Sequence, residues 1–215
     1  KAKELDVELT WRTASYFETL FVVAENELTA RYFFSLDKSP YDLIKEQQRH
    51  SESILYRIET SIDFSGQSIE IDRSGVIKQI TGSSQVLILS GGGGVGKTAV
   101  IKRFYEQRKK TYPLYIFKAT EFDLRNINDL FTNFIFQDFI EIHKNEIGKT
   151  IVVDSAEKIL DFKNSDPFKE ILSVLIQNDW KIIFTTRDNY LDDLNYQFIE
   201  IYNIIPLNIN IQNVE

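Results

Sequence analysis

The stretch Val86-Leu-Ile-Leu-Ser90-Gly91-Gly-Gly-Gly-Val95-Gly96-Lys97-Thr98 decides the fold of this chain. A short apolar run, the right length for a buried strand, enters a glycine loop. A helix is expected to leave that loop over residues 98–109. Gly91 to Thr98 fit G-x-x-x-x-G-K-[ST], the P-loop pattern, in its proper strand-to-helix setting. Glycines let successive backbone N–H groups converge on phosphate oxygens, which a Cβ would obstruct. The helix that follows offers its positive N-terminal end to the same anion. Lys97 is then expected to reach the β- and γ-phosphates, and the Thr98 hydroxyl to hold Mg²⁺. Gly92, Gly93, Gly94, Val95, Gly96, Lys97, Thr98 and Ala99 are the candidate nucleotide-binding residues.

Working outward, strands are expected at 113–118, 150–153, 180–185 and 198–202. Helices are expected at 73–81, 127–143 and 167–178. Strands alternating with helices at this interval mean an α/β fold with a parallel sheet. The first 62 residues read instead as helical, with Trp11, Ala14, Phe17, Leu20 and Phe21 near helical spacing. Ser39-Pro40 has the form of a helix start, and the helix it opens is expected to run to about Ile58. Asp63-Phe64-Ser65-Gly66 breaks the pattern and marks a boundary. The expected division is a helical region at 1–62 and a P-loop nucleotide-binding domain at 63–215.

Two more strand ends carry chemistry. Ile151-Val-Val-Asp154-Ser155-Ala156-Glu157 is an apolar strand ending in an acid, the form of a Walker B motif. At the carboxyl edge of a parallel sheet Asp154 is placed to hold the Mg²⁺ shell. Glu157 is the candidate base for an attacking water, or else an acid favoured by a helix N-terminus. Trp180-Lys-Ile-Ile-Phe-Thr185-Thr186-Arg187 ends in polar groups at the same edge. Either threonine can orient water, and Arg187 either senses a γ-phosphate or pairs with Asp188, Asp192 or Asp193.

Composition narrows the classes. The net charge of −7 weighs against a duplex-binding domain, and nucleic acid is not the expected partner. The absence of cysteine removes disulfides, thiolate zinc sites and cysteine nucleophiles, and fits a reducing, cytoplasmic setting. No apolar run is long enough to span a membrane. His50 and His143 have no metal-ligand spacing. Lys102, Arg103, Arg108, Lys109 and Lys110 read as a solvated helix face, and Phe131, Phe134, Phe136 and Phe139 as core.

The three motifs together resemble the STAND branch of AAA-like P-loop ATPases, which includes NACHT and NB-ARC modules of immune sensors and bacterial anti-phage proteins. Thr185-Thr186-Arg187 is similar to the NB-ARC form, whereas an acid three residues after Asp154 is similar to the NACHT form. Ser155 stands where NB-ARC-like members usually carry a second acid. Ile71-Asp72-Arg73 resembles the segment that lies against adenine, which implies Arg73 as a nucleotide contact. Ile204-Ile205-Pro206-Leu207 is similar to the stretch that leads into the helical lid. The resemblance implies the strand order 5-1-4-3-2, ATP with Mg²⁺ as ligands, and slow hydrolysis by Lys97, Asp154, Glu157 and Arg187. It also implies a switch that works through self-association or other domains of the same protein. Two readings stand beside it: a small-molecule P-loop kinase, and a nucleotide-binding scaffold with little hydrolysis. Only Arg125 and Arg187 follow Arg108, which argues against a kinase lid, and no Asn-Lys-x-Asp guanine reader occurs.

Overall fold

The structure, a computed structural model, describes residues 40–64, 67–132 and 134–212. The chain divides into two compact units, 1–43 and 44–215. Of the first, residues 40–43 are described; the helices expected before Ser39 lie outside the described residues. Helix α1 (Pro40–Leu55) stops one turn earlier than its sequence pattern predicts. The boundary expected at Asp63–Gly66 falls inside an antiparallel hairpin of β1 (Ser61–Phe64) and β2 (Gln67–Glu70). In sequence Ser-Gly is a pair that punctuates either a domain boundary or a hairpin, so the same signal suits both readings.

Beyond the hairpin come α2 (Ser74–Gly82), β3 (Val86–Gly91), α3 (Lys97–Arg108) and β4 (Leu114–Lys118). They are followed by α4 (Phe136–Ile142), β5 (Thr150–Asp154), α5 (Asp166–Gln177) and β6 (Lys181–Arg187). The last elements are α6 (Leu191–Glu200) and β7 (Leu207–Ile211). Five parallel strands form one sheet in the order β4-β5-β6-β3-β7. The P-loop strand β3 therefore pairs with β6 and β7. The Walker B strand β5 pairs with β4 and β6 instead.

One edge strand is not where the sequence reading puts it. The sequence places the fifth strand at residues 198–202, beside the strand ending at Ser90. They are the end of α6 and the turn after it, and Leu207–Ile211 pairs with β3 in their place. Phe-Ile-Glu-Ile-Tyr is rich in strand formers, but Leu194 and Phe198 are four apart and both fully buried, a helical repeat that tertiary packing rewards. The Ile204–Leu207 stretch thus leads into an edge strand.

The helix expected over 127–143 is also broken. A 3-10 turn (Ile127–Leu130) ends at extended Phe131, and α4 begins after extended Ile135. Side-chain caps compete with a continuous helix there: Asn126 accepts from the Asn128 N–H at 2.9 Å, and Asp138 from the Ile135 N–H at 3.1 Å. Phe131, Phe134, Phe136 and Phe139 are all buried, the first two from the irregular segment and the last two from α4.

Alternation along the strands gives the sheet two faces. Leu87, Leu89, Ile116, Val152 and Ile183 pack with Val100, Ile101 and Phe104 of α3 and with Ile77 and Ile80 of α2. The other face is aromatic: Phe184 meets Phe198 at 4.6 Å between centroids, and Phe168 meets Tyr202 at 5.4 Å. Such pairs add about 0.5–1.5 kcal/mol beyond the area they bury.

The basic cluster on α3 is not a solvated face. Lys102 donates to the Ile58 carbonyl at 2.8 Å, and Arg103 to the Ile71 and Thr60 carbonyls at 2.7 and 3.2 Å. Lys109 pairs with Glu52 at 2.9 Å, and the Arg108 guanidinium stacks 4.3 Å from the Tyr112 ring centroid. Lys102 and Arg103 fasten the residues on either side of the hairpin, whose carbonyls need donors. Among the described residues no group of acids and histidines is arranged to hold a metal on its own, and no helix is long and apolar enough to cross a membrane.

Candidate functional site

The carboxyl ends of β3, β5, β6 and β7 meet at one edge, and the sequence-predicted groups converge there. The loop from Gly91 to Gly96 turns through left-handed backbone at Gly94 (φ +80°) and Gly96 (φ +89°), which glycine adopts without strain. A Cβ on Gly93 or Gly94 would meet nothing within 4 Å, so the loop's outer side is open. Gly91 is the opposite case: its Cβ would stand 2.8 Å from the Ile211 carbonyl oxygen, because β7 packs against the loop's root.

Lys97, the first residue of α3, curls back along the loop. Its Nζ donates to the Gly91 and Gly92 carbonyls, each at 2.8 Å. Burial holds the ammonium below the usual lysine value, while the carboxylates of Asp188, Glu157 and Asp154 pull the other way. Thr98 follows on the first turn of α3 and is half-buried.

Asp154 and Thr185 lie on neighbouring strands, one step beyond the register pair Val153 and Phe184. The Thr185 hydroxyl donates to Asp154 Oδ1 at 2.6 Å and accepts from the Ser155 N–H at 3.1 Å. Ser155 sits in the left-handed region (φ 60°), at a cost of roughly 1–2 kcal/mol for a residue with a Cβ. That turn starts a 3-10 segment, Ala156–Asp161, and brings Glu157 back to the edge. Thr186 donates to Glu157 Oε2 at 3.2 Å, and Arg187 Nε lies 4.0 Å from Glu157 Oε1. Arg187 is thus nearest to Glu157, rather than to the three aspartates that follow it in sequence. Its side chain is 64% exposed, so the pair is weak but free to rearrange.

Arg73, expected against the base, precedes α2. It donates to the Val95 carbonyl at 3.1 Å and the Gln212 carbonyl at 3.2 Å. With Gly94, Val95, Gly96 and Ala99 it lines a recess of about 160 Å³ beside the loop, closed on the other side by Glu59, Thr60 and Arg103. The contribution of Glu59 and Thr60 was not legible in sequence, since it depends on how Arg103 fastens the hairpin. Asn210 was missed as well: from β7 it donates to Ser90 Oγ at 3.0 Å and Asp188 Oδ1 at 2.8 Å. The polar positions of Leu-Asn-Ile-Asn-Ile are the only sequence trace of it. The two histidines serve packing: His50 pairs with Glu121 at 2.8 Å, and buried His143 bonds the Tyr115 hydroxyl at 2.9 Å.

No family model and no curated protein matches the sequence. Solved structures do match the fold. A Walker-type ATPase of Pyrococcus abyssi superposes with a TM-score of 0.51 at 16% identity, over 75% of this chain and 58% of its own. AMPPCP-bound DnaA from Aquifex aeolicus superposes with a TM-score of 0.46 at 18% identity, over 64% of this chain and 44% of its own. The chain spans about half the length of these structures. The first likeness shows a shared α/β P-loop fold.

Proposed function

We propose that this chain is the ATP-binding, slowly hydrolysing switch module of a larger STAND-type protein. One observation carries the reading: the two acids at the end of β5 each take a hydroxyl from consecutive threonines of β6, within the charge field of Lys97. A structural turn has no use for three charged groups gathered beside an open glycine loop.

The donor set fits Mg²⁺. Thr98 and Asp154 offer the hard oxygens this ion prefers, and Asp154 Oδ2 is not used by the Thr185 bond. When bound, Mg²⁺ would supply charge neutralisation at the phosphates. The chain's own groups do the rest. The loop N–H groups and Lys97 bind and orient the triphosphate. The base occupies the recess beside Arg73. Glu157 takes the proton of the attacking water, and Arg187 contacts the γ-phosphate. Thr186 holds Glu157 Oε2, which leaves Oε1, 4.0 Å from Arg187 Nε, as the oxygen to accept the proton.

Phosphate release measured with ATP alone tests the reading. A slow release abolished by Glu157→Gln, with nucleotide affinity retained, supports it. A kinase would instead need an acceptor, and a scaffold would release nothing. The switch itself is tested by Arg187→Ala: ATP and ADP affinities should draw together, because only ATP offers the γ-phosphate. An unchanged ratio would make Arg187 a surface residue.

A further inference from the structure

The ends of β3, β6 and β7 are tied together beside the glycine loop. Ser90 ends the apolar run of β3, Asp188 directly follows β6, and Asn210 is the fourth residue of β7. Ser90 is the register partner of both Asn210 and Thr186. The Asn210 amide spends both protons there, on Ser90 Oγ and on Asp188 Oδ1. Arg187 is the register partner of Gly91, so the residue after it stands beside the carbonyls that Lys97 holds. Among the carboxylates acting on the Lys97 ammonium, Asp188 is the strongest. Asp188 directly follows Arg187, the partner of Gly91 at the loop's root, and Asn210 ties it to Ser90, so it stands at the loop rather than at the recess that Arg73 and Ala99 line.

A negative group at that place has a consequence. Phosphate oxygens arriving at Lys97 meet Asp188 as a like charge, and ATP brings one more phosphate there than ADP. We propose that Asp188 discriminates between nucleotide states: its carboxylate disfavours the γ-phosphate, and its bond to Asn210 carries that push into β7. Gly91 is the register partner of Ile211 and Arg73 holds the Gln212 carbonyl, so the end of β7 is coupled to the loop at two further points. The proposal rests on the nucleotide-binding reading above and adds a specificity residue and an output strand to it.

Asp188→Asn tests the charge alone, since the amide oxygen still accepts from Asn210. Asn210→Ala keeps the charge and removes the tether. ATP and ADP are titrated, with and without Mg²⁺, against wild type and both variants. Asp188→Asn is expected to tighten ATP by up to about fivefold, the upper size of an exposed charge pair, and ADP clearly less. Hydrogen exchange of the β7 amides should differ between the ATP and ADP states of the wild type, and that difference should vanish in Asn210→Ala. An unchanged ATP/ADP ratio in Asp188→Asn, with a wild type that binds both, overturns the proposal and leaves the P-loop reading intact. Weaker ATP binding in that variant also overturns it, since Asp188 would then serve the metal. A wild type that binds neither nucleotide removes both readings.

Discussion

Replacing Thr185 by valine removes one hydroxyl and little volume, and the structure says what that hydroxyl does. It donates to Asp154 at 2.6 Å and accepts from the Ser155 N–H at 3.1 Å, from a side chain on a residue only 2% exposed. Valine leaves the Ser155 N–H without its partner and takes a charge-assisted donor from Asp154. An unsatisfied buried donor costs about 1–3 kcal/mol and a hydrogen bond to a charged group contributes about 1.5–3, partly returned by the added methyl. The net loss should be ~2–4 kcal/mol. In a domain of this size that lowers Tm by roughly 5–15 °C. The second effect is on function: Asp154 loses its orientation, so Mg²⁺-dependent ATP affinity should fall about tenfold. Thr185→Ser keeps the hydroxyl and should recover both. Thermal unfolding and nucleotide titration on the three proteins make the comparison. A valine variant within about 0.5 kcal/mol of wild type, with unchanged Mg²⁺ dependence, refutes the claim that Thr185 positions the acid.

Burial, aided by the Lys149 charge, pushes the His143 imidazole down to about 4. The unfolded chain therefore binds a proton that the folded chain refuses, and stability falls as pH drops from about 6.5 toward 4, by on the order of 3 kcal/mol over the whole window. Urea unfolding at pH 7 and pH 5 should show this slope, and His143→Gln should flatten it. Phe198→Ala, in the segment that reads as a strand but folds as the end of α6, should cost about 3–5 kcal/mol, because a fully buried ring facing Phe184 is lost. A loss under about 1 kcal/mol would place residues 198–202 elsewhere. Gly91→Ala should disturb the contact with β7, since the new methyl meets a backbone oxygen. Weaker protection of the Ile211 segment in hydrogen exchange is the expected result.

The core of the sheet was readable from sequence because its strands are buried on both faces and so read as unbroken apolar runs: Val86–Leu89, Ile151–Val153, Ile182–Phe184. The glycine loop was readable because few chemistries need that spacing. The edge strand was not. Leu207–Ile211 buries only Ile209 and Ile211, and Phe-Ile-Glu-Ile-Tyr upstream has the stronger strand composition. Asp154 and Glu157 stand out in the sequence as acids at the end of an apolar run and three residues on, but their pairing with Thr185 and Thr186 depends on β5 and β6 being neighbours. The α3 cations looked like a charged surface because charge counts carry no record of which carbonyls lie within reach. The link from Asn210 to Asp188 joins residues 22 apart through the sheet order alone.

The central claim is that the loop from Gly91 to Thr98 binds the phosphates of an adenine nucleotide through Lys97. Its direct test is titration of labelled ATP with Mg²⁺ against wild type and Lys97→Ala. Removing one charge-assisted phosphate contact and leaving its partner unpaired costs about 2–5 kcal/mol, enough to abolish micromolar binding. Saturable ATP binding by the wild type, lost in the variant while its melting curve stays cooperative, is the predicted result. Equal affinities for the two proteins would contradict it.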